Sequence, residues 1–541
     1  MSTKKYFWGI PIIILFALLI GFSLGNYFAS KNIGNKLFFS SGNKINVILD
    51  IINQDYVDSV NVKNLVEEAI PKIINELDPH SNYISAEDLE AVNEELDGHF
   101  SGIGVQFSLQ QDTIMIVSVI NGGPSEKAGL QAGDRVVTIN DSIFVGPSIN
   151  NEKVMKNLKG EKNTSVRLGI KRSNADDLIA YEIIRGDVPV NSVEAAYQVS
   201  DGIGLIKVSK FGKTTENEFV GAIAKLVNQG CESFIIDLRQ NTGGLLHVAI
   251  NMANEFLSKG SLIVYVDGKA YPKNEAYADG SGSCQNSPLV ILMDEWSASA
   301  SEVLAGAIQD NDRGLIIGRR SFGKGMVQDQ IALSDGSALR LTIARYYSPS
   351  GRCIQKKYEL GQNEDYELDL MTRFSHGEFD SQDSIKQETD LEYYTIGGRT
   401  VYGGGGIMPD IFIPRDTIGT TSYYNSLVNN GILHEFAIRY TDNNREKLKE
   451  HKDYESLWKY LKSQPLLEEV VEYATSKNIR KRPTLINISG KLINNLAQAY
   501  IIRNIFGDEA FYPVYLSGDR VVGRAVEAIK KGEAKDIANN N

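Results

Sequence analysis

The chain has 541 residues, and at about 150 residues per domain it reads as three or four domains. Hydrophobic residues at 42% and charged residues at 23% belong to a globular protein with real cores, which excludes collagen-like, low-complexity and wholly disordered classes. A net charge of −12 without a long Lys/Arg tract argues against nucleic acid as a partner. Cys231, Cys284 and Cys353 lack CxxC spacing, which excludes a zinc ribbon and a disulfide-dense scaffold but leaves one bridge open.

From Tyr6 to Phe28 no side chain is charged, and at about 1.5 Å per residue this stretch reaches about 35 Å, enough for a hydrocarbon core of about 30 Å. It is longer than the apolar part of a cleavable signal peptide, and no clean A-x-A site follows. The expectation for residues 1–30 is therefore one uncleaved transmembrane anchor. Lys4 and Lys5 before it favour a cytoplasmic amino terminus, although Lys31 and Lys36 weaken the asymmetry. The rest of the chain then lies outside the cytoplasm.

Residues 31–97 read as an amino-terminal helical region. Ile45, Ile48, Leu49 and Ile52 begin one pattern, and Leu65, Ala69, Ile70, Ile73, Ile74 and Leu77 continue another. Pro71 is expected to kink or restart the second helix, and Asp78-Pro79-His80 to end it. Over 98–187 the period changes to two, with Ile103, Val105 and Phe107, then Ile114 and Ile116, then Val166, Leu168 and Ile170. Between these strands lies PSEKAGLQAGDRVVTIND, a short helix closed by glycine turns.

That string resembles a PDZ domain, and the resemblance implies that Ser101, Gly102, Ile103 and Gly104 form its carboxylate-binding loop. Glycines there let backbone N–H groups point at a peptide's terminal carboxylate, while the next strand pairs with the peptide by β-augmentation.

Over 188–416 strands and helices alternate, which argues an α/β core with crossover helices. The spacing predicts strands over 204–208, 233–238, 289–293, 315–317 and 327–331, and helices over 215–229, 245–257 and 300–309. A polar, acidic stretch over 356–404 has little periodicity and reads as an insertion. Helical patterns return over 417–541.

Three segments carry chemistry. In LVILMDEWSASASE a buried strand meets a small-residue turn that opens a helix, so Ser299 could present its hydroxyl beside free helix N–H groups. Ser299-Ala300-Ser301-Glu302 is also a capping-box pattern, which leaves a plain N-cap open. None of the six histidines is well placed as a base: His247 falls mid-helix, and His80, His99, His376, His434 and His451 fall outside the core or in the insertion. Lys324, in SFGKGMVQ, is a better base, since Ser-Lys is a known nucleophile–base pair. Gln328 is four residues on, on the same face of a strand of period two, and could orient the amine. At a reference pKa of about 10.4 only about one lysine in 2,500 is neutral at pH 7, so the site must be apolar, with Phe322 and Met326 as lining. In DLRQNTGGL, Gly243 or Gly244 could donate one oxyanion hydrogen bond and Ala300 N–H the other.

SASASE, SFGKGMVQ, DLRQNTGG, YYSPSGR, GIMPD and LDPHSNY, with the PDZ-like module before the core, resemble the carboxyl-terminal processing (tail-specific) serine proteases over about residues 40–415, the strings falling in the family's order along the chain. The resemblance implies a crotonase/Clp-like β-spiral core with an inserted PDZ domain, Ser299 as nucleophile, Lys324 as general base, Gln328 as its orienting partner, and Gly243 or Gly244 with Ala300 at the oxyanion hole. Glu302 and Asp310 match further family positions and read as structural. The long insertion and the helical tail depart from the smaller members.

The expectation is a membrane-anchored periplasmic serine endopeptidase of the inner membrane, acting on protein or peptide carboxyl termini, with no cofactor and no metal. The reading leaves room for an adaptor that delivers clients and for a homo-oligomer. The alternatives are a catalytically silent PDZ adaptor, or acyl-CoA chemistry on a related core.

Overall fold

The computed structural model describes residues 14–15, 17–23 and 44–534, except 111, 173–174 and 387–389. Most of the expected membrane span from Tyr6 to Phe28 lies outside the described residues, and among those described no helix is long and apolar enough to cross a membrane. Two compact units divide at Ile73–Ile74. The first holds α1 (Lys44–Asp55) and most of α2 (Val62–Asn75). Pro71 neither breaks nor restarts α2, contrary to the sequence expectation; the helix runs through it and ends within a turn.

The second unit begins with β1 (Asn82–Ile84) and α3 (Leu89–Asp97), then the module anticipated from its period of two. β2 (His99–Gly102) pairs antiparallel with β9 (Gly186–Pro189) and closes the module's neck. Between them, β3 (Val105–Gln110), β4 (Thr113–Val119), β5 (Arg135–Ile139), β7 (Ser165–Lys171) and β8 (Ile179–Ile184) form one antiparallel sheet in that order, with β6 (Ser142–Ile143) on β5. The short α4 (Pro124–Ala128) and α5 (Asn151–Leu158) complete it. Ile114, Ile116, Val136, Val166, Leu168 and Ile170 fill its core, the alternation expected of strands with one covered face.

The central sheet has the order β10 (Val193–Ser200), β11 (Ile203–Val208), β12 (Ser233–Asp237), β15 (Leu289–Met293), β16 (Leu315–Gly318) and β21 (Ile411–Phe412). All its pairs are parallel except β10–β11. β12 and β15 are buried at every residue, as strands covered on both faces must be. Alternate residues divide between two cores. Ile206, Ile236, Ile291 and Ile316 pack toward the crossover helices α6 (Thr215–Asn228), α7 (Leu246–Asn254) and α8 (Ala300–Asp310). Leu205, Ile235, Val290, Leu292 and Ile317 pack toward Val521, Val522, Ala525 and Ala528 of the chain's last helix, α17 (Arg520–Lys530). The end of the tail is thus a layer of the core.

A second sheet has the order β1, β18 (Ala338–Tyr347), β13 (Leu262–Asp267) and β14 (Asn274–Tyr277), with β17 (Met326–Ala332) on β18. The 356–404 insertion is ordered rather than shapeless. It contains α9 (Asn363–Glu367), α10 (Asp369–Ser375) and the hairpin β19 (Glu392–Tyr394)–β20 (Thr400–Tyr402), and it buries Tyr366, Arg373 and Glu378. Its low hydrophobic periodicity reflects a charged interior, with Glu378 held between Arg320 and Arg373 at 2.6 and 2.7 Å. The tail forms α11 (Ser422–Asn429), α12 (Ile432–Lys449), α13 (Tyr454–Leu461), α14 (Leu466–Ser476), α15 (Pro483–Phe506) and α16 (Asp508–Tyr515) around a core of their own, before α17. All three cysteines are free thiols, so the open bridge is not made.

Candidate active site

Strand β15 delivers the chain into the turn before α8, and at Ser299 the backbone takes φ 55° and ψ −115°. Positive φ is uncommon for a residue with a side chain, and this ψ lies far from the left-handed helical value of about +47°. Such local strain persists only where the surroundings over-determine it. The Ser299–Glu302 pair forms the capping-box arrangement, with Glu302 Oε2 accepting the Ser299 N–H at 2.8 Å.

The surroundings are identifiable. Asn241, fully buried, accepts the Ala298 N–H and the Ser301 hydroxyl at its carbonyl, and its side-chain amide donates to Val208 O. Its Oδ1 accepts the Gly243 N–H at 2.9 Å. A Cβ on Gly243, where φ is +102°, would lie 2.7 Å from Ser299 Cβ and 2.9 Å from Ala300 N, so the glycine loop sits directly on the serine turn. Of the two candidate oxyanion glycines, Gly243 has its N–H committed to Asn241. Gly244 and Ala300 line the same cavity as Ser299, and their N–H groups are not engaged. The expectation narrows to Gly244 and Ala300, because a donor bound internally cannot also serve an oxyanion.

Lys324 reaches the site by a route different from that read off the spacing. It precedes β17, which starts at Met326, and a register shift falls between Val327 and Gln328. Gln328 Oε1 accepts from Lys324 Nζ at 2.9 Å. Gln328 Nε2 donates to the carbonyl of His80. A cavity of about 400 Å³ is lined by Ser299, Ala300, Gly244, Lys324, Met326, Gln328 and Tyr346, among others. Ser299 and Lys324 share this space without a hydrogen bond to each other. Burial, and then the Arg340 charge, push the Lys324 amine below its ordinary value, against Glu302 and Asp78, which pull it up. Phe322, expected as lining, turns instead to a neighbouring cavity of about 390 Å³ beneath the insertion.

Two residues join the serine turn to the lysine loop. Glu302 is 1% exposed and accepts from Ser299 N, Ser321 Oγ, Gly323 N and Lys324 N. Burial pushes its carboxyl up to about 7, outweighing those four hydrogen bonds, which lower it. It is more than a cap. Tyr346, buried, has its hydroxyl within reach of Lys324 O and of Ser299 O at 3.1 Å, and burial pushes this phenol well up. Asp310 plays the structural part expected of it: Asp310 and Arg352, both fully buried, pair at 2.7 Å.

Position in the chain puts His80 outside the core, and the structure corrects this. Its carbonyl meets Gln328, its ring meets Tyr366 of the insertion, and burial followed by the Lys324 charge lowers its pKa to about 4. The LDPHSNY string carried the signal, but local spacing says nothing of what it meets. The four PDZ-loop residues sit apart from the catalytic cavity. Ser101 and Gly102 pair with β9, Ile103 is buried, and Gly104 has φ +77° with Gly123 and Pro124 packed where a Cβ would go. The following strand, β3, pairs with β4 at the end of the sheet's strand order, so among the described residues no strand pairs with its other edge. No cluster of His, Cys, Asp or Glu among the described residues could hold a metal ion.

Three family models match: Peptidase family S41 over residues 202–368, a PDZ domain over 101–183, and a family of unknown function, DUF8443, over 423–507. The chain is 34% identical over 325 residues to a "Probable CtpA-like serine protease" of Staphylococcus aureus (strain MRSA252), covering 60% of this chain and 64% of that protein. A protein of the same description from Staphylococcus haemolyticus (strain JCSC1435) is 36% identical, over 58% of this chain and 62% of that one. The chain thus spans less than two thirds of the length of either relative. Among solved structures, a photosystem II D1 C-terminal processing protease is 25% identical, covering 68% of this chain and 92% of that one at a TM-score of 0.35. Residues 202–368 thus match the S41 peptidase model, and the stretch before them, 101–183, matches a PDZ domain.

Proposed function

We propose that this protein is a serine endopeptidase that engages protein carboxyl termini through its PDZ domain and cleaves the tail by a Ser-Lys mechanism. The observation that carries the reading is Ser299 itself: a strained, helix-opening serine in one cavity with a buried lysine whose amine is pushed toward neutrality.

The chemistry follows from these groups. Lys324 Nζ, unprotonated, takes the proton of Ser299 Oγ as the oxygen attacks a peptide carbonyl. The oxyanion that forms is met by the N–H groups of Gly244 and Ala300, the latter at the positive end of α8. Lys324 then hands the proton to the departing amine, leaving an acyl ester on Ser299. The same lysine deprotonates water for hydrolysis of that ester. Ser299 and Lys324 are not hydrogen-bonded without substrate, and such contacts commonly tighten only in the substrate complex.

A tail supplies the chain that β3 would pair with, its carboxylate facing Ser101–Gly104. For location, the uncharged Tyr6–Phe28 stretch supports a single anchor in the inner membrane with the catalytic part in the periplasm. Release of the protein by alkaline carbonate, which strips peripheral proteins only, would dismiss that anchor.

The deciding experiment compares the carboxyl termini of the cell's proteins in wild type and Ser299→Ala. New termini present only in wild type are expected. Tail binding retained by a wild-type protein that never yields a product would point to the silent adaptor instead.

A further inference from the structure

The insertion between YYSPSGR and GIMPD reaches the catalytic lysine through a short series of contacts. Lys324 Nζ donates to Gln328 Oε1 at 2.9 Å. Gln328 Nε2 donates to the His80 carbonyl. The His80 ring meets Tyr366 of α9, with Nε2 2.8 Å from the phenol oxygen and the rings edge-on at 5.1 Å. Tyr366 is only 5% exposed.

We propose that Tyr366 is a positioning residue for the Ser-Lys site, acting through His80 and Gln328 to fix the direction in which the Lys324 amine is held. The inference rests on the peptidase reading above and deepens it by giving the insertion a part in the reaction.

The physical argument turns on the side-chain amide. An amide group can be rotated to present either its oxygen or its NH₂, whereas a backbone carbonyl can only accept. The His80 carbonyl therefore holds the Gln328 NH₂ toward itself and leaves Oε1 for the amine. That carbonyl is held on two sides: Asp78 Oδ1 accepts the His80 N–H at 2.9 Å, and the ring is held by Tyr366. The insertion braces the lysine loop elsewhere as well. Arg373 donates to the carbonyls of Arg320 and Ser321, and the Lys356 ammonium lies 4.0 Å from the rings of both Phe322 and Tyr366. The charged and titratable groups facing Lys324 are Arg340, Glu302, Asp78, His80 and Tyr346, and those facing His80 are Lys324, Asp78, Lys356 and Tyr366.

Tyr366→Phe removes the hydroxyl and keeps the ring against Phe322 and Lys356. The full chain is assayed on β-casein, an unfolded protein with a free carboxyl terminus, for kcat and KM across pH, beside thermal unfolding. Loss of one hydrogen bond behind the amine is expected to lower kcat by about 2- to 10-fold. KM and the unfolding midpoint stay near wild type, and the acid limb of the rate profile moves to higher pH as the amine is less well secluded. His80→Ala, the second variant, moves the limb the same way, and Tyr366→Phe adds nothing to it. A wild-type kcat and limb in Tyr366→Phe, or losses that multiply in the double variant, overturn the proposal. Absence of cleavage by wild type overturns the peptidase reading first, and this inference with it.

Discussion

Glu302 accepts the backbone N–H of Lys324 at 2.9 Å with the same oxygen, Oε2, that accepts the Ser299 N–H at 2.8 Å. One buried carboxyl therefore sets the distance between the segment carrying the candidate nucleophile and the segment carrying the candidate base. Glu302→Gln puts an NH₂ where an oxygen accepted two donors, leaving two of the four facing a donor. A stability loss of about 2–3 kcal/mol is expected, with most activity gone, measured by urea unfolding and tail cleavage. The carboxyl, raised to about 7 from 4.5, also favours folding below pH 4.5, and that contribution is lost as pH rises through about 7. The variant should flatten this part of the stability profile.

Arg340 is the second cause, after burial, that holds the Lys324 amine down. Replacing it with glutamine removes a cation from the neighbourhood, so the ammonium form becomes less costly and the lysine pKa rises. The acid limb of kcat/KM in Arg340→Gln should move to higher pH, with the alkaline plateau little changed. An unmoved limb would separate Arg340 from the base.

Gly243 is the tightest contact to the serine turn. A methyl group there would meet Ser299 Cβ at 2.7 Å at a backbone φ of +102°. In Gly243→Ala the serine turn must shift, and displacements of about 1 Å cost on the order of 100-fold in rate. Cleavage should fall by that order while PDZ binding of a tail peptide, read by fluorescence anisotropy, is retained.

Asp310 and Arg352 join the end of α8 to the YYSPSGR loop, both at 0% side-chain exposure. Arg352→Met leaves a buried carboxylate without its partner and should cost about 3–5 kcal/mol in urea unfolding. Asp310→Asn paired with Arg352→Met should recover part of that loss, since neither then buries an unmatched charge.

Local pattern was a good guide wherever burial alone sets the pattern. β15 runs Leu289–Met293, the bounds expected from its apolar run, because solvent exclusion imposes a pattern on each element separately. Ser299, Lys324, Gly244 and Ala300 are legible as residue types at turns and Gln328 as one on a strand, and the structure brings all five to one cavity.

What the sequence by itself determined, then, is the set of elements and the chemistry-bearing residues placed at their ends. Only the tertiary structure decided which of those residues touch. His80 lies 248 positions before Gln328, Tyr346 spans the serine and lysine segments, Gly243 rather than Gly244 spends its N–H on Asn241, and Glu302 serves two loops at once. Hydrophobic periodicity is a property of one element against water. Hydrogen bonds between distant loops depend on strand register and turn dihedrals, which leave no period in the chain to read.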